Sequence, residues 1–377
     1  MASADGADST LASKSVFLTG FPGFLGSELV ARLLERYADD VTIRCLVQPK
    51  YRALAEERAV ELEGGTPERI ELHEGDITES DLGLGAAYDD LADDAVEVYH
   101  LAAVYDLGVA REVGMAVNVE GTKNVLDFAE SCPDLERFQY VSTCYVSGRH
   151  DGVFTHEDLD VGQEFNNYYE ETKFLAEVEV QRRMDAGLPA TIYRPAITVG
   201  DSRTGQTQKY DGPYYILRLL DSLPANLGVV PAFGNPRDYE VNVVPRNFVV
   251  DAIDRLSGLD ASEGEVYQLC DPNPPTVAGM LRTFEDATGE EIRSVGLPRA
   301  SADLLRRSLD GVPGLADLLG VEPEVLRYFV HPTSYTSQNA IRDLRGTGVG
   351  CPAFESYADA LVDFYRAHPE ISPEAMV

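Results

Sequence analysis

Cationic side chains are scarce in this 377-residue sequence: 31 Lys plus Arg stand against 64 Asp plus Glu, the formal net charge is −33, and only five of the cations are lysines. A field of that sign repels nucleic acid and anionic membrane surfaces, so neither is expected as a partner. The acids recur in most helices and loops, from ERYADD at 35–40 to the terminal SPEAMV, and form no single block. A dispersed acidic shell with few lysines resembles the surface of a halophilic protein in a salty cytoplasm, where screening suppresses self-repulsion. An acidic protein from an ordinary cell is the alternative.

Long apolar runs are missing as well, and without a stretch of about 18 such residues no membrane span is expected. The opening MASADGADSTLAS has acids and no apolar centre, which reads as a disordered tail over residues 1–13 and not as a secretory signal. Cysteine is sparse. Cys45, Cys132, Cys144, Cys270 and Cys351 are scattered, odd in number and without a C-x-x-C pair, which predicts reduced thiols, a cytoplasmic location and no metal site. With 44% hydrophobic and 25% charged residues, the rest is an ordinary globular composition with ample core for one large domain or two small ones.

Residues 15–36 read SVFLTGFPGFLGSELVARLLER. A short apolar run ends in glycine, and Leu25, Leu29, Leu33 and Leu34 then recur at helical spacing, which predicts strand, tight turn and helix. Gly20, Gly23 and Gly26 let the turn take positive φ and bring backbone N–H groups close to a pyrophosphate at the helix N-terminus. Phe24 and Leu25 lie inside this candidate cofactor contact. A second strand, VTIRCLV, ends at Gln48 with no acid at its tip; Lys50 and Arg52 follow, and cations there suit the 2′-phosphate of NADP, with NAD as the other choice. A third run ends in Asp76 and Ile77, where Asp76 can accept from an adenine amine. A fourth, VEVYHLAAVYD, carries the small residues Ala102 and Ala103, which let a flat cofactor lie close. His100 within it is read as a core histidine. Asn118 opens a helix and is either structural or a ligand of the active-site backbone.

The stretch NNYYEETKF at 166–174 holds two tyrosines and a lysine. On a helix Tyr169 and Lys173 share a face and Tyr168 does not, and an ammonium beside a phenol lowers its pKa. Preceding it is STCYVSG at 142–148, a strand-end hydroxyl group, and following it is YRPAITVG at 193–200.

Taken together, TGFPGFLG, GDIT, HLAAV, NVEGT, VSTCYVSG, YYEETK and YRPAITVG, over roughly 14–290, resemble the extended short-chain dehydrogenase/reductases of the epimerase/dehydratase superfamily. The resemblance is strongest to the thioester reductase and fatty acyl-CoA reductase (male sterility type) branch, although that branch usually has a basic residue where Gln48 stands. It implies an α/β fold, a Rossmann-like doubly wound parallel sheet with a smaller, mainly helical substrate-binding part. It also implies that Tyr169 is the acid/base, Lys173 its partner and ribose ligand, and Thr143 the hydroxyl that orients the substrate oxygen, with Ser142 as runner-up. Asn118 matches the family asparagine, and Pro195 with Ile197 in the following backbone borders the nicotinamide.

The expected organisation is a cofactor domain over 14–200 plus 248–270, a substrate part over 201–247 plus 271–345, and a C-terminal helix within 346–377 that packs on the domain. Tyr210, Tyr214 and Tyr215 line an apolar pocket or belong to ordinary core. The function expected is an NAD(P)-dependent oxidoreductase acting on a carbonyl of a small molecule, an acyl thioester or aldehyde among the options. A nucleotide-sugar epimerase or dehydratase with bound NAD, and a cofactor-sensing regulatory protein without turnover, are the alternatives. A homodimer is compatible with all three.

Overall fold

The computed structural model describes residues 14–222, 229–298 and 328–371. The tail expected over 1–13 lies outside them, as does part of the stretch expected to be mainly helical over 271–345.

Seven parallel strands form the central sheet: β1 (Ser15–Thr19), β2 (Thr42–Val47), β3 (Ile70–Glu74), β4 (Ala95–His100), β5 (Arg137–Val141), β6 (Ala190–Pro195) and β7 (Val266–Leu269). Their order across the sheet is β7-β6-β5-β4-β1-β2-β3. All five residues of β1 are buried, as a strand covered on both faces requires. Because side chains alternate, Val16 and Leu18 point to one layer and Phe17 to the other. The first layer packs Leu29, Val30 and Leu33 of α1 (Phe24–Arg36) against Val249 and Ile253 of the helix Arg246–Ser257. The second packs Phe17 against Val125, Leu126 and Phe128 of the helix Gly121–Ser131. These two layers are the doubly wound α/β architecture. The direction of winding reverses between β1 and β4, and in such sheets ligands bind beyond the strand ends at that reversal.

A third cluster lies on the other side of that crevice. It joins the helices Tyr214–Ser222, Val277–Thr288 and Ala358–Ala367 through Leu217, Met280, Phe284 and Leu361. Within the described part of 271–345 two short strands accompany the helices Val277–Thr288 and Gln338–Asp343. The strand Arg293–Leu297 runs parallel to Val229–Phe233, and Thr333–Tyr335 runs parallel to Gly152–Phe154. Such short strands exist because a distant segment supplies their hydrogen bonds, which no local pattern announces. All five cysteines are free thiols and four of them are buried. No described helix is long and apolar enough to cross a membrane.

Candidate active site

A cavity of about 410 Å³ opens at the reversal point and runs from the glycine turn to the third cluster. At one end, Gly20 has φ of 97°, and a Cβ there would fall 2.9 Å from the backbone of Leu101 and Ala102. A Cβ on Gly23 or Gly26 would instead strike the carbonyl oxygen of Gly20, at 2.8 and 2.3 Å. The glycines are therefore required by the closure of the turn itself, which then carries its backbone to the cavity wall. Gly23 is the N-cap of α1 and makes no side-chain capping bond, so the first-turn N–H groups are left for a ligand. Phe24, Leu25, Ile77, Ala102, Ala103, Pro195 and Ile197 all line the same cavity. An uncapped helix N-terminus beside a flat, small-residue wall fits a dinucleotide.

The expected ribose cations are placed differently. Lys50 and Arg52 are not among the lining residues, whereas Gln48 and Tyr51 are. Arg52 donates to Glu56 at 2.7 Å and to the Leu72 carbonyl at 3.0 Å. The Lys50 ammonium stands 5.0 Å from the centre of the Tyr51 ring. Asp76 is also outside the lining; its carboxylate accepts from Gln48 Nε2 at 2.9 Å and from Thr78.

Elsewhere along the cavity wall the helix Tyr168–Asp185 begins at the N-cap Asn167, whose side chain accepts from the Glu170 N–H. Its first turn exposes 48% of Tyr168 to solvent and leaves Tyr169 8% exposed, on the cavity wall. Lys173, one turn on, is buried and donates from Nζ to the Tyr140 hydroxyl and to the Val141 carbonyl, each at 2.9 Å. Burial pushes the Lys173 ammonium down to about 7, with the Glu177 carboxylate opposing. Neither of its hydrogen bonds goes to Tyr169, and the expected lowering of the tyrosine is not found. Burial instead holds the Tyr169 phenol above its ordinary value, with a hydrogen bond from Thr143 pulling the other way. The protonated phenol is the form this environment favours.

Thr143 and Ser142 both follow β5, and the geometry separates them. The Ser142 hydroxyl donates to the buried Glu177 carboxylate, which also pairs with Arg194 at 2.6 Å. Thr143 Oγ1 accepts from the Tyr145 N–H at 3.2 Å, donates to the Pro195 carbonyl at 3.4 Å and lines the cavity with Tyr169. Asn118, which is buried, does not line the cavity. Its side chain accepts from the Val104 N–H at 2.9 Å and donates to Thr172 Oγ1 at 3.0 Å, tying the cavity wall after β4 to the tyrosine helix. It sits in a wide π-type turn, Met115–Glu120, that turns it inward. His100 is a core residue as expected, held between Thr19 and Thr122 at 2.7 and 2.9 Å and pushed by burial down to about 3.

Other lining residues gave no signal in the sequence. Tyr105 packs edge-on against Tyr169 with ring centres 5.0 Å apart, Tyr145 packs against Tyr328, and Lys209 and Asp211 enter from the loop after the short strand Ile197–Val199. Tyr145 stands in the STCYVSG motif, the one cue available. Tyr210, Tyr214 and Tyr215 are core: all three are buried, none lines the cavity, and Tyr210 and Tyr214 stack near Tyr365 of the C-terminal helix. Among the described residues no group of His, Cys, Asp and Glu is placed to hold a metal.

Residues 18–253, more than half of the chain, match the NAD-binding family described as male sterility protein. The chain belongs to that family. Across 97% of its length it superposes on 94% of the terminal R domain from the myxalamid PKS-NRPS biosynthetic pathway, with a TM-score of 0.78 and 25% identity. It is 29% identical over 334 residues to the aldehyde reductase lnaA of Aspergillus flavus, a match taking in 81% of this chain. In three such relatives the chain spans 26%, 22% and 31% of the full length. UDP-glucose 4-epimerase from Bifidobacterium longum shares the fold alone, with a TM-score of 0.64 and 17% identity over 94% of this chain and 99% of that one. In this member of the NAD-binding family, Thr143, Tyr169 and Lys173 line one cavity with the glycine turn.

Proposed function

We propose that the chain reduces a carbonyl at the level of an acyl thioester or aldehyde, with NADPH as the preferred reductant. The observation that carries this reading is the convergence of a buried, protonated Tyr169, the Thr143 hydroxyl and the uncapped α1 N-terminus on one cavity. When bound, the nicotinamide cofactor supplies hydride to the carbonyl carbon. Thr143 orients the carbonyl oxygen, and Tyr169 hands it a proton. Lys173 holds positive charge below its shifted pKa of about 7, close to the tyrosine helix turn, and serves the ribose. From a thioester the first product is a hemithioacetal, which collapses to an aldehyde and a thiol; a second reduction gives the alcohol. The likeness to an aldehyde reductase and to a terminal R domain supports this substrate class over a sugar nucleotide.

Three further parts belong to the same reading. Lys50 and Arg52, just beyond the Tyr51 wall, favour a 2′-phosphate once a ligand competes for them. Catalytic assistance from Asn118 is positional, through the loop after β4. The acidic surface and free thiols suit a saline cytoplasm. Purified protein mixed with NADPH and a panel of short aldehydes and acyl-CoA thioesters tests the proposal through loss of nicotinamide absorbance. Consumption of NADPH, more efficient than of NADH, is expected. A protein that consumes neither, and releases tightly held NAD on unfolding as judged by mass spectrometry, would be an isomerising enzyme instead.

A further inference from the structure

In a chain with twice as many acids as cations, the described wall of the cavity reverses the balance: its charged residues are Lys173, Lys209 and Asp211. Lys173 is accounted for by the tyrosine helix. Lys209 is not. Its side chain is only 19% exposed, and its ammonium is ion-paired to a carboxylate of the same loop. It has Asp211 at 3.5 Å and the face of Tyr105 at 4.7 Å. Tyr105 in turn packs edge-on on Tyr169, so the ammonium and the proton donor both contact that one ring on the cavity wall.

The loop that carries Lys209 is firmly built. Asp201 accepts from the Arg203 and Thr204 N–H groups at 2.8 and 3.1 Å, and Thr207 Oγ1 donates to the Lys209 carbonyl at 3.0 Å. Gly205, at φ of 71°, fits against the Ala360 carbonyl where a Cβ would fall 2.0 Å away. A cation fixed this way, largely out of water and held by one long ion-pair contact of 3.5 Å, can take an anion as a closer partner. Asp211 offsets part of its charge, which suits a single carboxylate better than a phosphate.

We propose that Lys209 is a specificity-determining residue that binds a carboxylate on the substrate, a few carbon atoms from the carbonyl that is reduced; this rests on the reductase reading above. The substrate class is then an ω-carboxylated acyl thioester or aldehyde. In the reaction, hydride from NADPH forms the new C–H bond, the carbonyl π electrons pass to oxygen, Tyr169 supplies the proton there, and the carboxylate is unchanged.

Succinic semialdehyde and its methyl ester differ only in the charge at issue. They are compared by steady-state kinetics in about 1 M KCl, where a Debye length of about 3 Å removes the long-range field of the acidic surface. The native protein is expected to favour the acid over the ester by roughly tenfold or more in kcat/KM, the scale of a charge-assisted hydrogen bond. In Lys209→Met that ratio collapses towards one through a higher KM for the acid, and in Lys209→Arg most of it survives. Equal kcat/KM for the two compounds in the native protein overturns the proposal without any variant. A ratio that persists in Lys209→Met also overturns it, as does weaker NADPH binding in that variant with the ratio intact. Failure to reduce either compound, or any carbonyl in the panel above, counts against the reductase reading itself.

Discussion

Ser142 donates its hydroxyl to the buried carboxylate of Glu177, and this bond takes the serine out of contention for the reaction while its neighbour Thr143 shares the cavity wall with Tyr169. Thr143→Val should therefore lower kcat by about a hundredfold or more with the cofactor still bound, as loss of a group that positions proton transfer does. Ser142→Ala should act chiefly on stability, by about 1–3 kcal/mol, because it strips a partner from a buried carboxylate. Steady-state kinetics and denaturant titration on the two variants separate these effects.

The Glu177 and Arg194 side chains are both fully buried, with Nη2 to Oε1 at 2.6 Å and Nε to Oε1 at 2.9 Å. Removing one partner leaves an uncompensated charge, so Glu177→Ala should cost about 3–5 kcal/mol, and replacing both by methionine should cost less than that. Denaturant midpoints for the single and double variants check the order.

Acid stability follows from His100. Its ordinary value is 6.5 and its folded value about 3, so between these the unfolded chain binds a proton that the folded chain does not. Stability contributed by this group is thus full above about 6.5 and is lost as pH falls towards about 3. His331, pushed by burial down to about 3, adds to the same slope. The loss of unfolding free energy between about pH 7 and about pH 4 should be smaller in His100→Gln than in the native protein, and an equal loss would reject the assignment.

Salt should stabilise. At about 0.15 M ionic strength the Debye length is about 8 Å and neighbouring surface acids still repel; at about 1 M it is about 3 Å. The melting temperature is expected to rise from tenths molar to molar KCl. A variant with several surface Asp→Asn changes should show a smaller rise, which separates screening from salt-strengthened apolar burial. A flat or falling curve would leave the saline-cytoplasm reading without support.

Much of the cofactor half was legible because its signals are local. A strand, three glycines and a helix in 22 residues, or a tyrosine and lysine one turn apart, fix their geometry by neighbouring backbone alone. The direction of the Tyr169 shift was not legible: it comes from burial, to which the packing of the distant Tyr105 ring contributes, with the negative charge of the distant Asp211 adding to it. Lys209 was invisible for the same reason, since a loop lysine acquires meaning only when the fold sets it on a ring in the cavity. Tyr210, Tyr214 and Tyr215 gave a pattern that pocket and core share; all three are buried away from the cavity wall, and Tyr210 and Tyr214 pack with the C-terminal helix. Lys50 and Arg52 were read from position after a strand, whereas the fold engages Arg52 with Glu56 and the Leu72 carbonyl.

The most direct test of the whole account compares Tyr169→Phe with Tyr168→Phe in one steady-state assay of NADPH-dependent carbonyl reduction, with cofactor binding followed by titration calorimetry. Loss of the Tyr169 hydroxyl removes the proton donor and little else, so turnover should fall by about a hundredfold or more while NADPH still binds. Tyr168 is half exposed at the helix start, and its change should be mild. Equal activity in the two variants would contradict the account.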